Sequence, residues 1–167
     1  MKSVKISIVL PTYNQFHLLK KSIKSVIKQT FKNWELIVID NKSNDGTKKF
    51  VKKISKSDKR IKYLSISNKG ILAKSRNLGI RKSKGQWIAF IDSDDIWHKD
   101  KLLKCYNCAS ETKADFIYHP VFSINEVTNS KKIISDKNRD IKRPIYKDLI
   151  LNGNSIAQSS AMVKKNI

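Results

Sequence analysis

Chain-breaking residues are scarce: the sequence has five glycines and three prolines in 167 residues. A collagen-like or Gly/Pro-rich low-complexity chain is excluded, and 40% apolar with 29% charged residues is the composition of a folded domain with one core. Cysteine is scarcer still. Cys105 and Cys108 cannot supply a disulfide framework, and a zinc site would need a second pair of ligands, for which His98 and His119 are the only, poor candidates. Reduced thiols are expected. No apolar run approaches the roughly 18 residues that span a bilayer, and Met1-Lys-Ser-Val-Lys5 lacks the apolar core of a signal peptide. A cytoplasmic protein is therefore expected. Acids are the last deficit. Fourteen Asp plus Glu against 35 Lys plus Arg leave a net charge of +21, which attracts anionic partners: nucleic acid, acidic lipid headgroups or phosphorylated small molecules.

What is present is a repeated strand-then-helix unit. Ile6 to Leu10 is a β-branched run halted by Pro11, and beyond Tyr13-Asn14 the apolar spacing lengthens to Phe16, Leu19, Ile23, Val26 and Ile27, a helical stripe. Leu36 to Ile39 ends in the turn-rich acidic loop Asp40 to Gly46, and a second helix carries Phe50, Val51 and Ile54. Ile61 to Ile66 makes a third strand, Asn68-Lys-Gly70 a turn, Ile71 to Arg81 a third helix, and Trp87 to Ile91 a fourth strand. A helix from about Lys99 to Glu111 and a fifth strand from Asp115 to Ile124 complete the pattern. Strands alternating with helices of this length predict an α/β fold, a mostly parallel Rossmann-like sheet with helices on both faces. Three regions are expected within one domain: 1–124 as the α/β unit, 125–148 as a basic loop or connection, and 149–167 as the start of a further segment.

Ligands in such sheets bind beyond the carboxyl ends of the strands, where this chain concentrates its unusual polar residues. Pro11-Thr-Tyr13, Asp40 and Asp92-Ser-Asp94 are predicted to converge on one crevice. In Asp92-Ser-Asp-Asp95 the period-two alternation of an extended chain sends Asp92 and Asp94 to one side and Asp95 to the other. A hard divalent cation, Mg²⁺ or Mn²⁺, would relieve the repulsion between the first two and is commonly shared with substrate phosphates. The alternative is a turn whose Asp and Ser side chains cap the next helix.

Taken together, Pro11-Thr-Tyr-Asn14, Gln29-Thr30, Glu35 to Asp40 with Ser43-Asn-Asp-Gly-Thr47, Asn68-x-Gly70, Arg76-Asn-x-Gly79 and Asp92-Ser-Asp-Asp95 resemble, in order, the motifs of glycosyltransferase family 2, with its GT-A fold. The resemblance implies a nucleoside-diphosphate-sugar donor, with a UDP-sugar favoured, and inverting transfer to a hydroxyl of a surface glycan or a lipid-linked acceptor. It places Pro11, Thr12, Tyr13, Asp40, Arg76, Asp92 and Ser93 at the nucleotide: Tyr13 against the base, Asp40 accepting from its imide N–H, Arg76 near base or phosphates, and Asp92 on the ribose. Asp94 would be the ligand of Mn²⁺ or Mg²⁺. Asn41 and Lys42 stand where the family often has Asp and Gly. The family's acceptor-activating acid lies in a later paired acidic motif that this sequence does not contain, so a chain truncated at the acceptor side is expected, without a catalytic base.

Two rivals fit less well. A nucleotidyltransferase would want a Gly-rich phosphate loop after the first strand, which Pro11-Thr-Tyr-Asn14 is not. A nucleic-acid-binding module would interleave aromatics with its lysines, and the first two helices do not, so no nucleic-acid partner is expected. Those helices carry Lys20, Lys24 and Lys28, and Lys48, Lys52, Lys56 and Arg60, each at four-residue spacing. A solvated face explains such stripes; two stripes on one side of the domain would add attraction to an anionic membrane surface.

Overall fold

The computed structural model describes residues 4–125, 128, 130–133, 144–152 and 156–165. Much of the basic segment between Asn125 and Lys147, and Gly153-Asn154 beyond it, lies outside the described residues. Strands β1 (Ile6–Thr12) and β2 (Trp34–Asp40) are buried along their whole length, which is why they read as uninterrupted apolar runs. They alternate with helices α1 (Phe16–Ile27) and α2 (Thr47–Ser57), then β3 (Ile61–Ser65), α3 (Leu72–Lys82), β4 (Trp87–Phe90) and α4 (Lys101–Thr112). The four strands lie in the order β3-β2-β1-β4, all parallel, with Thr12 opposite Asp40 and Val9 opposite Phe90.

The pleat sorts the core into two layers. Ile6, Ile8, Leu10, Leu36, Val38, Ala89 and Ile91 pack with Leu19, Ile23 and Val26 of α1, Val51 of α2, and Leu102, Cys105 and Ala109 of α4. Val9, Ile37, Ile39, Ile88 and Phe90 face the other way, against Leu78 and Ile80 of α3. Close approach of α3 depends on Gly79, where an added Cβ would lie 2.6 Å from Val9 Cγ1 and 2.9 Å from Ile39 Cδ1. Below the sheet's other end, Glu35 is buried and accepts hydrogen bonds from the Ser7 hydroxyl (2.6 Å), the Lys84 amide (2.6 Å) and Lys62. Burial alone would raise its pKa; the bonds from Lys62, Ser7 and Lys84 outweigh it and hold the carboxyl below its ordinary value.

Beyond α4 the topology departs from simple repetition. The fifth strand expected over Asp115–Ile124 is broken into β5 (Phe116–Ile117) and β6 (Phe122–Ile124), and β6 pairs instead with β7 (Lys131–Ile133) in a separate two-stranded sheet. Pro120 is the physical reason: it has no N–H for a ladder, and it restricts the residue before it. Nor does β5 lie next to β4. Strand β8 (Met162–Lys164) inserts between them, antiparallel to both, giving a six-stranded sheet ordered β3-β2-β1-β4-β8-β5. Helix α5 (Ile145–Asn152) precedes it, with Pro144 at its start, where a missing N–H costs nothing. No helix among the described residues is long and apolar enough to cross a membrane.

Candidate active site

Three strands deliver their last residues to one cleft of about 270 Å³. From β1 come Pro11, Thr12 and Tyr13, followed by Gln15; from β2, Asn41; from the β4 end, Asp92, Ser93 and Asp94; Asn68, Leu72 and Ser75 form the wall on the α3 side. Tyr13 is 57% exposed and stands over the opening, whereas Thr12 is buried and its hydroxyl has no partner among the described residues. The sheet order fixes the direction of the cleft: β2 at one end, β1 in the middle, β4 with its acids at the other.

The loops around it are tied together. The Asn14 amide donates to Ser43 Oγ (2.9 Å), the Asn44 amide to Asn14 Oδ1 (2.9 Å), and the Phe16 amide, at the start of α1, to Asp45 Oδ2 (2.8 Å). Burial pulls the Asp45 carboxyl upward, but the bond from the Phe16 amide and those from Thr47 outweigh it and hold the group below its usual range. Asn68 works as an Asx turn, with Oδ1 accepting from the Gly70 amide (2.9 Å) and Nδ2 donating to Ser75 Oγ (2.9 Å). These contacts give Ser43, Asp45, Asn68 and Gly70 a structural part in shaping the loops around the cleft.

Asp40 is fully buried behind the cleft, not on its surface. Its Oδ2 accepts from the Tyr63 hydroxyl (2.7 Å), and Oδ1 from the Ser43 amide (2.9 Å) and hydroxyl (2.6 Å). Burial, then the bond to Asp40, pushes the Tyr63 phenol up to about 12. The residue that β2 presents to the cleft is Asn41, whose Oδ1 accepts from the Asn68 amide (2.9 Å) and whose own amide donates to Thr12 O (3.0 Å).

At the acidic end, Arg76 of α3 reaches across to Asp92, Nη2 to Oδ1 at 2.8 Å, so one of the three acids is already neutralised by an ion pair. Arg76 itself stands behind Asp92 and does not line the cleft. Ser93 donates to Gln15 Oε1, and Ser22 Oγ donates to the carbonyls of Ser93 (2.8 Å) and Asp95 (2.6 Å), anchoring the acidic turn on α1. The chain turns at once after β4, Asp95 N–H bonding to Asp92 O at 3.1 Å. Asp92 and Asp94 stay with the cleft, while the Asp95 carboxyl accepts from the Ser159 hydroxyl. Burial, then the charges of Asp94 and Asp92, outweighs that bond and holds Asp95 above the ordinary carboxylate range. Ser159 also accepts from the Asp92 amide (2.9 Å), and its carbonyl accepts from Trp97 Nε1 (2.9 Å). Thus the segment before β8 braces the acidic turn. Gln15 gave no signal in the sequence, because its partner lies 78 residues away, and nothing in the sequence joined Ser159 to Asp92, 67 residues before it.

The comparisons agree with this geometry. The profile described as Glycosyl transferase family 2 matches residues 7–166. The chain belongs to glycosyltransferase family 2. It is 38% identical over 129 residues to the UDP-Glc:alpha-D-GlcNAc-diphosphoundecaprenol beta-1,3-glucosyltransferase WfgD of Escherichia coli, covering 77% of this chain and 49% of that protein. It is 34% identical over 167 residues to the poly(ribitol-phosphate) beta-N-acetylglucosaminyltransferase TarP of Staphylococcus aureus, covering 98% of this chain and 50% of that one. Among solved structures, S. aureus TarS 1-349 in complex with UDP-GlcNAc superposes with a TM-score of 0.70 at 21% identity, over 96% of this chain and 45% of TarS 1-349, a likeness of fold. The family 2 chain thus spans about half the length of these relatives.

Proposed function

We propose that the cleft binds a nucleoside-diphosphate sugar, a UDP-sugar before others, and that the enzyme to which this domain belongs transfers the sugar with inversion to a hydroxyl of a surface glycan or a lipid-linked acceptor. The observation that carries this reading is the cleft itself. Its floor crosses the ends of β2, β1 and β4, two strand spacings or roughly 10 Å, about the reach of a nucleoside diphosphate. WfgD, named for a UDP-glucose donor and a diphosphoundecaprenol acceptor, and TarS, seen with UDP-GlcNAc, support the choice of donor and of acceptor class.

In this reading the base lies by Tyr13 and the β2 end, the ribose by Asp92, and the diphosphate near Asp94. Asp94 is an exposed carboxylate on the cleft, with Asp92 held by Arg76. Among the described residues no three His, Cys, Asp or Glu side chains cluster to hold an ion by themselves. Asp94 therefore fits a hard cation, Mn²⁺ or Mg²⁺, that takes its other ligands from phosphate and water. Such an ion would supply charge neutralisation to the leaving nucleotide. With both cleft acids given to the donor, none of the described residues lining the cleft remains to deprotonate an acceptor hydroxyl, so these 167 residues are expected to bind donor without efficient transfer.

Calorimetric titration of UDP with and without Mn²⁺, on the wild type and on Asp94→Ala, tests the reading. Binding that needs the metal and is lost in the variant supports it; no binding of UDP under either condition refutes it.

A second surface favours a location. Helices α1 and α2 pack on the same face of the sheet, joined by the edge-on contact of Phe16 and Phe50 at 5.6 Å. Between them they expose Lys20, Lys21, Lys24, Lys48, Lys49, Lys52, Lys53 and Lys56, with no acid in either helix. Peripheral attachment of a cytoplasmic domain to an anionic inner membrane face follows from that charge. Sedimentation with anionic and with neutral vesicles checks it, and equal binding to the two would remove the idea.

A further inference from the structure

We infer that Ser159, on the segment that leads into β8, is a positioning residue for Asp94 and sets the metal-dependent part of donor binding; the inference rests on the donor-site reading above. Asp94 is exposed on the cleft, so its place is set by the residues on either side of it. Most of what holds those residues lies within the first α/β unit: Arg76 pairs with Asp92, Gln15 accepts from Ser93, and Ser22 donates to the carbonyls of Ser93 and Asp95. Ser159 adds a tie from beyond that unit. It is 6% exposed, and its hydroxyl is used in both directions: it accepts from the Asp92 amide (2.9 Å) and donates its one proton to the Asp95 carboxyl.

Asp92 and Asp95 bracket Ser93-Asp94, and the Asp95 amide already closes the turn on Asp92 O (3.1 Å). The Ser159 hydroxyl closes it a second time, because the backbone of Asp92 and the side chain of Asp95 are pinned to one oxygen. The Ser159 carbonyl then takes Trp97 Nε1 (2.9 Å), and Trp97 is itself buried, with Lys101 Nζ 3.9 Å from the centre of its ring. Three contacts from one residue thus fix the turn on the side away from α1. A carboxylate carried on a turn held in this way is pre-organised for an ion, and outer partners of this kind typically carry about 10- to 100-fold in metal affinity. The β2 end of the cleft lies on the far side of β1 from this tie, so nucleotide binding without metal does not need it.

Calorimetric titration of UDP with and without Mn²⁺ on the wild type, Ser159→Ala and Ser160→Ala tests the tie, with the melting temperature as the check on folding. Ser160 is the matched control: it is buried in the same segment, but its hydroxyl donates to Ala157 O (2.7 Å) and not to the acidic turn. In Ser159→Ala the affinity for UDP with Mn²⁺ should fall by about 10-fold or more while that without metal stays, and Ser160→Ala should keep both. Ser159→Thr retains the hydroxyl and should restore the metal effect. An unchanged metal effect in Ser159→Ala, an equal loss with and without Mn²⁺, the same loss in Ser160→Ala, or a folded Ser159→Thr that behaves like Ser159→Ala overturns the proposal. So does UDP binding that ignores Mn²⁺ in the wild type. If Ser159→Ala does not fold, NMR of the wild type decides: Mg²⁺ added to the UDP complex should move the Ser159 amide and the Trp97 indole N–H along with the amides of Asp92 and Asp94. Signals of Ser159 and Trp97 that stay while those move overturn the proposal. A wild type that binds UDP under neither condition refutes the donor-site reading itself, a separate outcome.

Discussion

Tyr63→Phe is the perturbation that probes the site's foundation with least disturbance. It deletes one hydroxyl on β3 and leaves the ring, over which Lys52 Nζ sits at 5.9 Å. The main loss is the hydrogen bond of 2.7 Å to a fully buried carboxylate, which keeps its two bonds from Ser43; the contact of the hydroxyl with the Ser65 side chain goes with it. Bonds to charged groups are worth about 1.5–3 kcal/mol, and the partial exposure of Tyr63 puts this one at the lower end, about 1.5–2 kcal/mol. For a domain of this size that lowers Tm by roughly 4–7 °C. The pH dependence adds a signature. Because the folded phenol titrates near 12 and an unperturbed one near 10, its contribution is whole below pH 10 and disappears as pH rises from 10 to 12. Urea denaturation of wild type and Tyr63→Phe should thus differ by a constant amount up to pH 10 and converge above it. A difference under about 0.5 kcal/mol at pH 7, or one independent of alkaline pH, would refute the bond between Tyr63 and Asp40 as a support of the cleft.

Other consequences are open to the same denaturation assay. Glu35→Ala removes a buried carboxylate with three donors and should cost about 2–4 kcal/mol at pH 7. Its folded pKa is depressed, so the wild-type advantage is present above the unfolded value of about 4.3 and should shrink as pH falls through the folded one. Gly79→Ala drives a methyl into Val9 and Ile39 and should lose about 1–2 kcal/mol, although alanine is the better helix former. Lys42 occupies left-handed backbone at φ 57°, so Lys42→Gly should gain about 1 kcal/mol and raise the denaturation midpoint.

The first four strands and the helices between them were readable because β1, β2 and nearly all of β4 are buried on both faces, β3 is half-buried but apolar at Ile61, Tyr63 and Leu64, and each helix buries one side, which leaves apolar runs and a 3.6-residue stripe. Convergence of Thr12, Tyr13, Asp92 and Asp94 was readable for the same reason: parallel strands put equivalent ends together. Three features were hidden. Pro120 breaks the fifth strand, a local signal overridden by the apolar residues around it. The insertion of β8 beside β4 pairs Ala89 with Met162, a contact that leaves no periodic trace. The withdrawal of Asp40 behind the cleft depends on Tyr63, a residue that reads as ordinary strand packing, and the brace from Ser159 depends on a segment that carries no charge.

Backbone-amide NMR of the 19.2 kDa chain during titration with UDP and Mg²⁺ tests the donor site most directly. The expected shifts gather at Thr12 to Gln15, Asn41, Asn68 to Ser75 and Asp92 to Asp94, the rim of one cleft across three strand ends. Shifts confined to the lysines of α1 and α2, or scattered over the surface, would mean that the charge of the chain, and not this cleft, receives the nucleotide.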